Sequence, residues 1–199
     1  LGEIERLLAA GEVDAVAVVY GATSSCTLNP LAEIGALTTR YGRKLLVDGV
    51  SALFIEEMDS TAFGAAAVMG SCNKGLHAHP NLTFALVRRD LLEEMAEIPQ
   101  RVPSLELKKL HSAQRAGSHP YTIDPMSLLQ VQAALRHLAE QGGVAGRHAI
   151  YAQRARLLRE GYERLGLRIA RWSGVPLSSI GTALFLPSGV GYDALAEHL

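Results

Sequence analysis

Cysteine is nearly missing from this chain. Cys26 and Cys72 are the only two, with no CxxC pair and no spacing that suits a metal ion. That argues against a disulfide framework and for a reducing, cytoplasmic setting. Excess charge is missing too: 19 basic residues face 20 acidic ones, and the basic ones are scattered. No nucleic-acid face or basic membrane patch is expected. No apolar run reaches the length of a membrane span, and no signal-peptide pattern is visible. The glycosylation-like Asn81-Leu82-Thr83 is then a chance match. Repeats and low-complexity tracts are absent. His77 and His79 lie two apart with no further ligand in sight, so no metal site is expected. What remains is a chain that is 48% hydrophobic and 20% charged, enough for one medium domain or one domain and part of another.

The apolar pattern alternates between helix and strand. Residues 1–10 have a helical face of Ile4, Leu7 and Leu8, and because the chain opens in mid-helix on Leu1, a preceding segment is expected. A buried strand is expected over 14–20, then a loop, then a helix to about Tyr41 with Asn29 as N-cap and Pro30 at its first position. Further strands follow at "RKLLVDG", at 65–69 and at "LTFALVRR". This order predicts an α/β fold, a mostly parallel sheet with flanking helices. The stretch 93–115 is polar. Asp124-Pro125 starts a helix to about Gln141, a second runs over about 146–165, and short apolar segments and a last helix at "YDALAEHL" follow. The expected division is 1–125 as part of a large domain and 126–199 as linker helices and the start of a smaller α+β region.

In a parallel sheet, ligands sit outside the carboxyl ends of the strands. Thr23, Asp48 and Lys74 fall at three such ends. An aspartate ending a buried strand is costly unless something positive meets it, and a protonated pyridine nitrogen would. A lysine amine near a bound aldehyde can join it covalently. Hydroxyl, carboxylate and amine around one pocket are what pyridoxal 5'-phosphate needs. The same residues also have an ordinary reading, with the Asp and Thr capping turns and the lysine solvated.

"ATSSCTLNPLAEIGALTTRYGRKLLVDGVSALF" followed by "GSCNKGLHAHPNLTFALVRRDLLEEM" resembles the class V, fold-type-I, pyridoxal-phosphate aminotransferases. The shared pattern is a Ser/Thr-rich turn, "LNP", a helix, "VDxxS" and an "NK" lysine, covering about 12–92. "EQGGVAGRH" resembles the family's helix junction. The resemblance implies that Lys74 is the Schiff-base lysine and proton shuttle, and that Asp48 pairs with the pyridinium nitrogen. Thr23 would meet the phenolic oxygen and Asn73 the phosphate. Ser51 would support the ring from below, and Thr122 would lie near the position that serves the neighbouring subunit's phosphate site. It implies amino transfer from a small amine such as 2-aminoethylphosphonate to pyruvate or a similar 2-oxo acid, in a homodimer.

The sequence departs from the family pattern in several places. Ala22 stands where Glu is common. Cys26 and His79-Pro80-Asn81 replace glycines or "G-x-PG", and Ile123 displaces Thr122. "GVPLSSIGTALFLP" holds no arginine, with Leu177 nearest the place expected for a carboxylate clamp. The family's phosphate-cradling loop and stacking aromatic belong to a segment preceding this sequence. A lyase or desulfurase-like enzyme on the same cofactor, and a non-catalytic interaction module, are the alternatives. Cys72 reads as a small packing residue. Leu76, Pro80 and Leu82 are expected to form an exposed apolar patch beside Lys74.

Overall fold

The computed structural model describes residues 1–99 and 101–198. Gln100, inside the polar stretch, and Leu199, last in the expected terminal helix, lie outside the described residues. The elements run α1 (Gly2–Ala10), β1 (Ala15–Val19), β2 (Gly21–Ala22), β3 (Thr27–Leu28), α2 (Leu31–Arg40), β4 (Lys44–Asp48), β5 (Ala65–Ser71) and β6 (Thr83–Val87). Then come α3 (Arg89–Met95), α4 (Leu107–Arg115), α5 (Pro125–Glu140), α6 (Gly143–Arg164), β7 (Arg168–Ile169), β8 (Leu184–Phe185) and α7 (Tyr192–Ala196).

The main sheet has the order β1-β4-β5-β6. β1 and β4 run parallel, as do β4 and β5, while β6 returns antiparallel beside β5. The fold class is α/β with a mostly parallel sheet. Alternation along the strands sends Val16, Val18, Leu45, Val47 and Val68 into one core with Leu31 and Ile34 of α2. Leu45 and Val47 are fully buried, each contributing on the order of 1.5–3 kcal/mol by removal from water. The opposite face is thinly covered: Val19 and Met69 are 44% and 37% exposed. A second cluster joins Cys72 and Leu76, after β5, to Leu138 of α5 and Val144 of α6.

Two helix starts differ from the sequence reading. Asn29 does not cap α2: its Nδ2 donates to Val19 O (2.7 Å), and Pro30, at ψ 76°, takes the cap position with no side-chain bond. Asn29 is instead the tie that turns the chain from the sheet into the helix. The long helix begins at Gly143 rather than Gly146: the left-handed turn at Gly142 and Gly143 (φ 86° and 72°) is completed earlier, with Gly142 at the N-cap. The expected apolar patch is also corrected. Leu76 is 2% exposed and packs inward, leaving Pro80 exposed and Leu82 half-buried.

Candidate active site

The parallel register aligns Val19 with Asp48 and Asp48 with Met69, so the carboxyl ends of β1, β4 and β5 share one edge. Asp48 is the last residue of β4 and half-buried. Its backbone is fixed by Tyr20 N–H donating to Asp48 O (2.9 Å) and by Gly49 N–H donating to Met69 O (2.9 Å). Its Oδ1 accepts from Val50 N (2.9 Å), and its Oδ2 has no hydrogen bond among the described residues.

β5 ends at Ser71, and the loop 72–82 carries Lys74 before β6 brings the chain back. The loop is pinned on both sides of the lysine. Cys72 N donates to Leu82 O (3.1 Å), Ala78 N to Cys72 O (2.9 Å) and His77 N to Lys74 O (3.0 Å). Gly75 lies so close to the Asp48 loop that a Cβ there would meet Leu53 O at 2.1 Å. The Lys74 side chain is exposed, with no hydrogen bond or ion pair among the described residues. Asn73 is exposed beside it; its Oδ1 accepts from Ser71 Oγ, leaving the amide nitrogen as a free donor among the described residues. Burial pushes the Cys72 thiol up, which suits an inert packing residue. Burial foremost, with Arg147, His137 and Arg154 behind it, pushes the His77 imidazole down.

Thr23 sits in the turn between β2 and β3, a hairpin off the end of β1. With Cys26, Ser51, Ser178 and Gly181 it lines a cavity of about 180 Å³. The far wall is the segment around Leu177. It pairs with the hairpin through Leu28 N to Pro176 O, Ser178 N to Cys26 O (both 2.9 Å) and an antiparallel bridge between Thr27 and Leu177. Leu177, nearest the expected arginine position, is thus a strand-pairing residue. Thr23 and Ser51 both line this cavity; Asp48, Asn73, Lys74 and Thr122 are not among its lining residues, and Thr122 is exposed ahead of α5.

Glu56 and Arg159 belong to none of the motifs read from the sequence, and Arg147 and His148 enter it only as the close of "EQGGVAGRH". Glu56 is 3% exposed and accepts from Ser179 N (2.6 Å) and Ser179 Oγ (2.8 Å), tying the Asp48 loop to the cavity wall. Arg159 Nη2 donates to Ser178 O and Gly181 O from behind that wall. A carboxylate inside the apolar "ALFIEEM" is the available signal for Glu56, and "EQGGVAGRH" the one for Arg147 and His148; Arg159, bonded largely to backbone carbonyls, leaves none. No cluster of three or more His, Cys, Asp or Glu that could hold a metal ion occurs among the described residues.

A family profile described as "Aminotransferase class-V" matches residues 1–169. The chain is 34% identical over 156 residues to a 2-aminoethylphosphonate–pyruvate transaminase of Salmonella schwarzengrund, covering 76% of this chain and 41% of that protein. To the enzyme of the same name from Aeromonas hydrophila it is 32% identical over 186 residues, covering 91% and 48%. The crystal structure of pyridoxamine-pyruvate aminotransferase from Mesorhizobium loti superposes with a TM-score of 0.89 at 28% identity, covering 98% of this chain and 50% of that one. The chain spans about half the length of the curated relatives it matches.

Proposed function

The chain belongs to the class-V aminotransferase family, and from that premise we propose that it carries one side of a pyridoxal 5'-phosphate site for amino transfer from a small amine, such as 2-aminoethylphosphonate, to pyruvate. The observation that supports this reading is the shared carboxyl edge of β1, β4 and β5, from which the Thr23 hairpin, Asp48 and the Lys74 loop each follow. The donor set fits the ring end of the cofactor: Asp48 keeps a carboxylate oxygen without a partner among the described residues, and the Lys74 amine has none there either. Both similar transaminases and the Mesorhizobium enzyme have pyruvate in their names, which favours pyruvate as acceptor.

When bound, the cofactor supplies an aldehyde that captures the amine and a ring that draws electrons from the neighbouring carbon. The Asp48 carboxylate would hold a proton on the ring nitrogen, and a charge-assisted pair in a half-buried position is stronger than one in water. Lys74 Nζ would be the amine that holds the aldehyde end and, once freed from it by the donor amine, the base that accepts a proton from the donor's amine-bearing carbon. Thr23 Oγ1 would serve the phenolic oxygen and Asn73 Nδ2 the phosphate. Thr122, not among the residues lining the Thr23 cavity, is assigned to the phosphate site of a neighbouring copy in a homodimer. The division into a large-domain part (1–125) and the start of a small domain (126–199) belongs to the same reading.

The test is reductive fixing. Pyridoxal 5'-phosphate is added to the full-length protein, borohydride follows, and the modified peptide is mapped by mass spectrometry. The expected result is one modified residue, Lys74, lost in Lys74→Ala, with alanine formed from pyruvate and 2-aminoethylphosphonate only by the unsubstituted protein. Modification spread over many lysines would overturn the reading.

A further inference from the structure

The junction "EQGGVAGRH" has a physical role that the proposed chemistry leaves unused. Arg147 is 1% exposed. Its Nη1 donates to Gly75 O, the carbonyl next to Lys74, and its Nε donates to Gln141 Oε1 (2.9 Å). Nη2 has no hydrogen-bond partner among the described residues. A buried guanidinium without a carboxylate is costly, so its attachment to one backbone carbonyl invites explanation. The next residue, His148, places Nδ1 3.1 Å from Ile55 O and 3.3 Å from Glu56 Oε2. Consecutive residues of α6 therefore grip the two loops that carry the lysine and follow the aspartate. Those loops also touch each other, where Gly75 meets the Leu53 carbonyl. The absence of a Cβ at Gly146, where one would meet Gln141 O at 1.9 Å, lets the start of α6 lie close against the end of α5.

We propose that Arg147 and His148 are positioning residues that set the Lys74 amine against Asp48. The proposal rests on the reading of Lys74 as the cofactor lysine. The guanidinium fork spans Gly75 O and Gln141 Oε1 at once; an ammonium reaches one of them. A merely structural pair would hold the whole fold, whereas a positioning pair holds two loops against each other.

The experiment compares the full-length protein with Arg147→Met, Arg147→Lys and His148→Ala by hydrogen exchange without cofactor and by borohydride fixing of pyridoxal 5'-phosphate. In Arg147→Met, exchange over 72–78 rises at least about tenfold, as loss of one hydrogen bond to a charged group implies, while the strand 44–48 keeps its protection. The share of fixed cofactor on Lys74 falls by a similar factor, and Arg147→Lys restores part of it. In His148→Ala the rise is confined to 49–56. Uniform loss of protection in sheet and loops, or unchanged exchange over 72–78, overturns the proposal. If Arg147→Met does not fold, Arg147→Lys and His148→Ala decide by the same criteria. Fixing on a different lysine in the unsubstituted protein would overturn the cofactor reading, while the exchange still decides what Arg147 holds.

Discussion

At the scale of single residues, the contact between the two loops is the tightest constraint near Lys74. Gly75→Ala puts a methyl group 2.1 Å from the Leu53 carbonyl, and backbone cannot yield as a flexible side chain does. A loss of about 3 kcal/mol is expected, read as a lower urea midpoint with unchanged slope. His77, at φ 64°, bonds Tyr151 Oη at 2.8 Å, and its imidazole is held below the ordinary value. As pH falls through the ordinary histidine range, the unfolded chain takes up a proton that the folded one resists, so stability falls. His77→Asn tolerates the backbone and should flatten melting temperature against pH between about 7 and 5. The effect is modest because the ring is exposed. Thr23, Asp48 and Lys74 could be singled out from sequence because each follows a clear apolar run. Arg147 is marked only by its place in "EQGGVAGRH", not by its role: its acceptor is a carbonyl 72 residues away, and nothing in residue type marks a carbonyl.

At the scale of elements, local signals succeeded where the stop or start was chemical and failed where the partner was distant. Asp124-Pro125 starts α5 as expected: Asp124 accepts from Met126 N and Ser127 N, both 3.1 Å. The Ser127 hydroxyl first, then the Met126 N–H, holds this carboxyl below its usual range. The cap therefore stabilises above the ordinary carboxylate value and is lost as pH falls through the lowered one. Asp124→Ala should melt lower than the parent at pH 7, and the gap should close in acid, measured by circular dichroism. Asn29 carries the same kind of signal and misleads, because its side chain is turned to the end of β1, where Nδ2 donates to Val19 O, and no helix N–H bonds it among the described residues. The β6 strand was visible as an apolar run, but its antiparallel direction depends on how the loop 72–82 closes, which periodicity does not encode.

At the scale of the molecule, the sheet is well packed on the α2 side and sparsely covered on the other, where Val19 and Met69 remain exposed. Leu128 and Leu135 of α5 and Leu157 and Leu158 of α6 are exposed as well. Apolar surface on that scale favours association, and the proposed homodimer predicts a two-fold particle by light scattering; a stable monomer at high concentration would count against it. The pairing order of the sheet also bears on how the site assembles in time. β5 and β6 are joined by the loop 72–82, shorter than the segment 49–64 that joins β4 to β5, so the hairpin holding Lys74 can close earlier, at lower entropic cost. Asp48 arrives only when β4 registers beside β5, and the wall behind Thr23 only when the segment around Leu177 returns from the far end of the chain. Refolding followed by pulsed hydrogen exchange should protect the lysine loop first and the Thr23 hairpin last, so that the proposed amine is in place before the cavity beside Thr23 has closed.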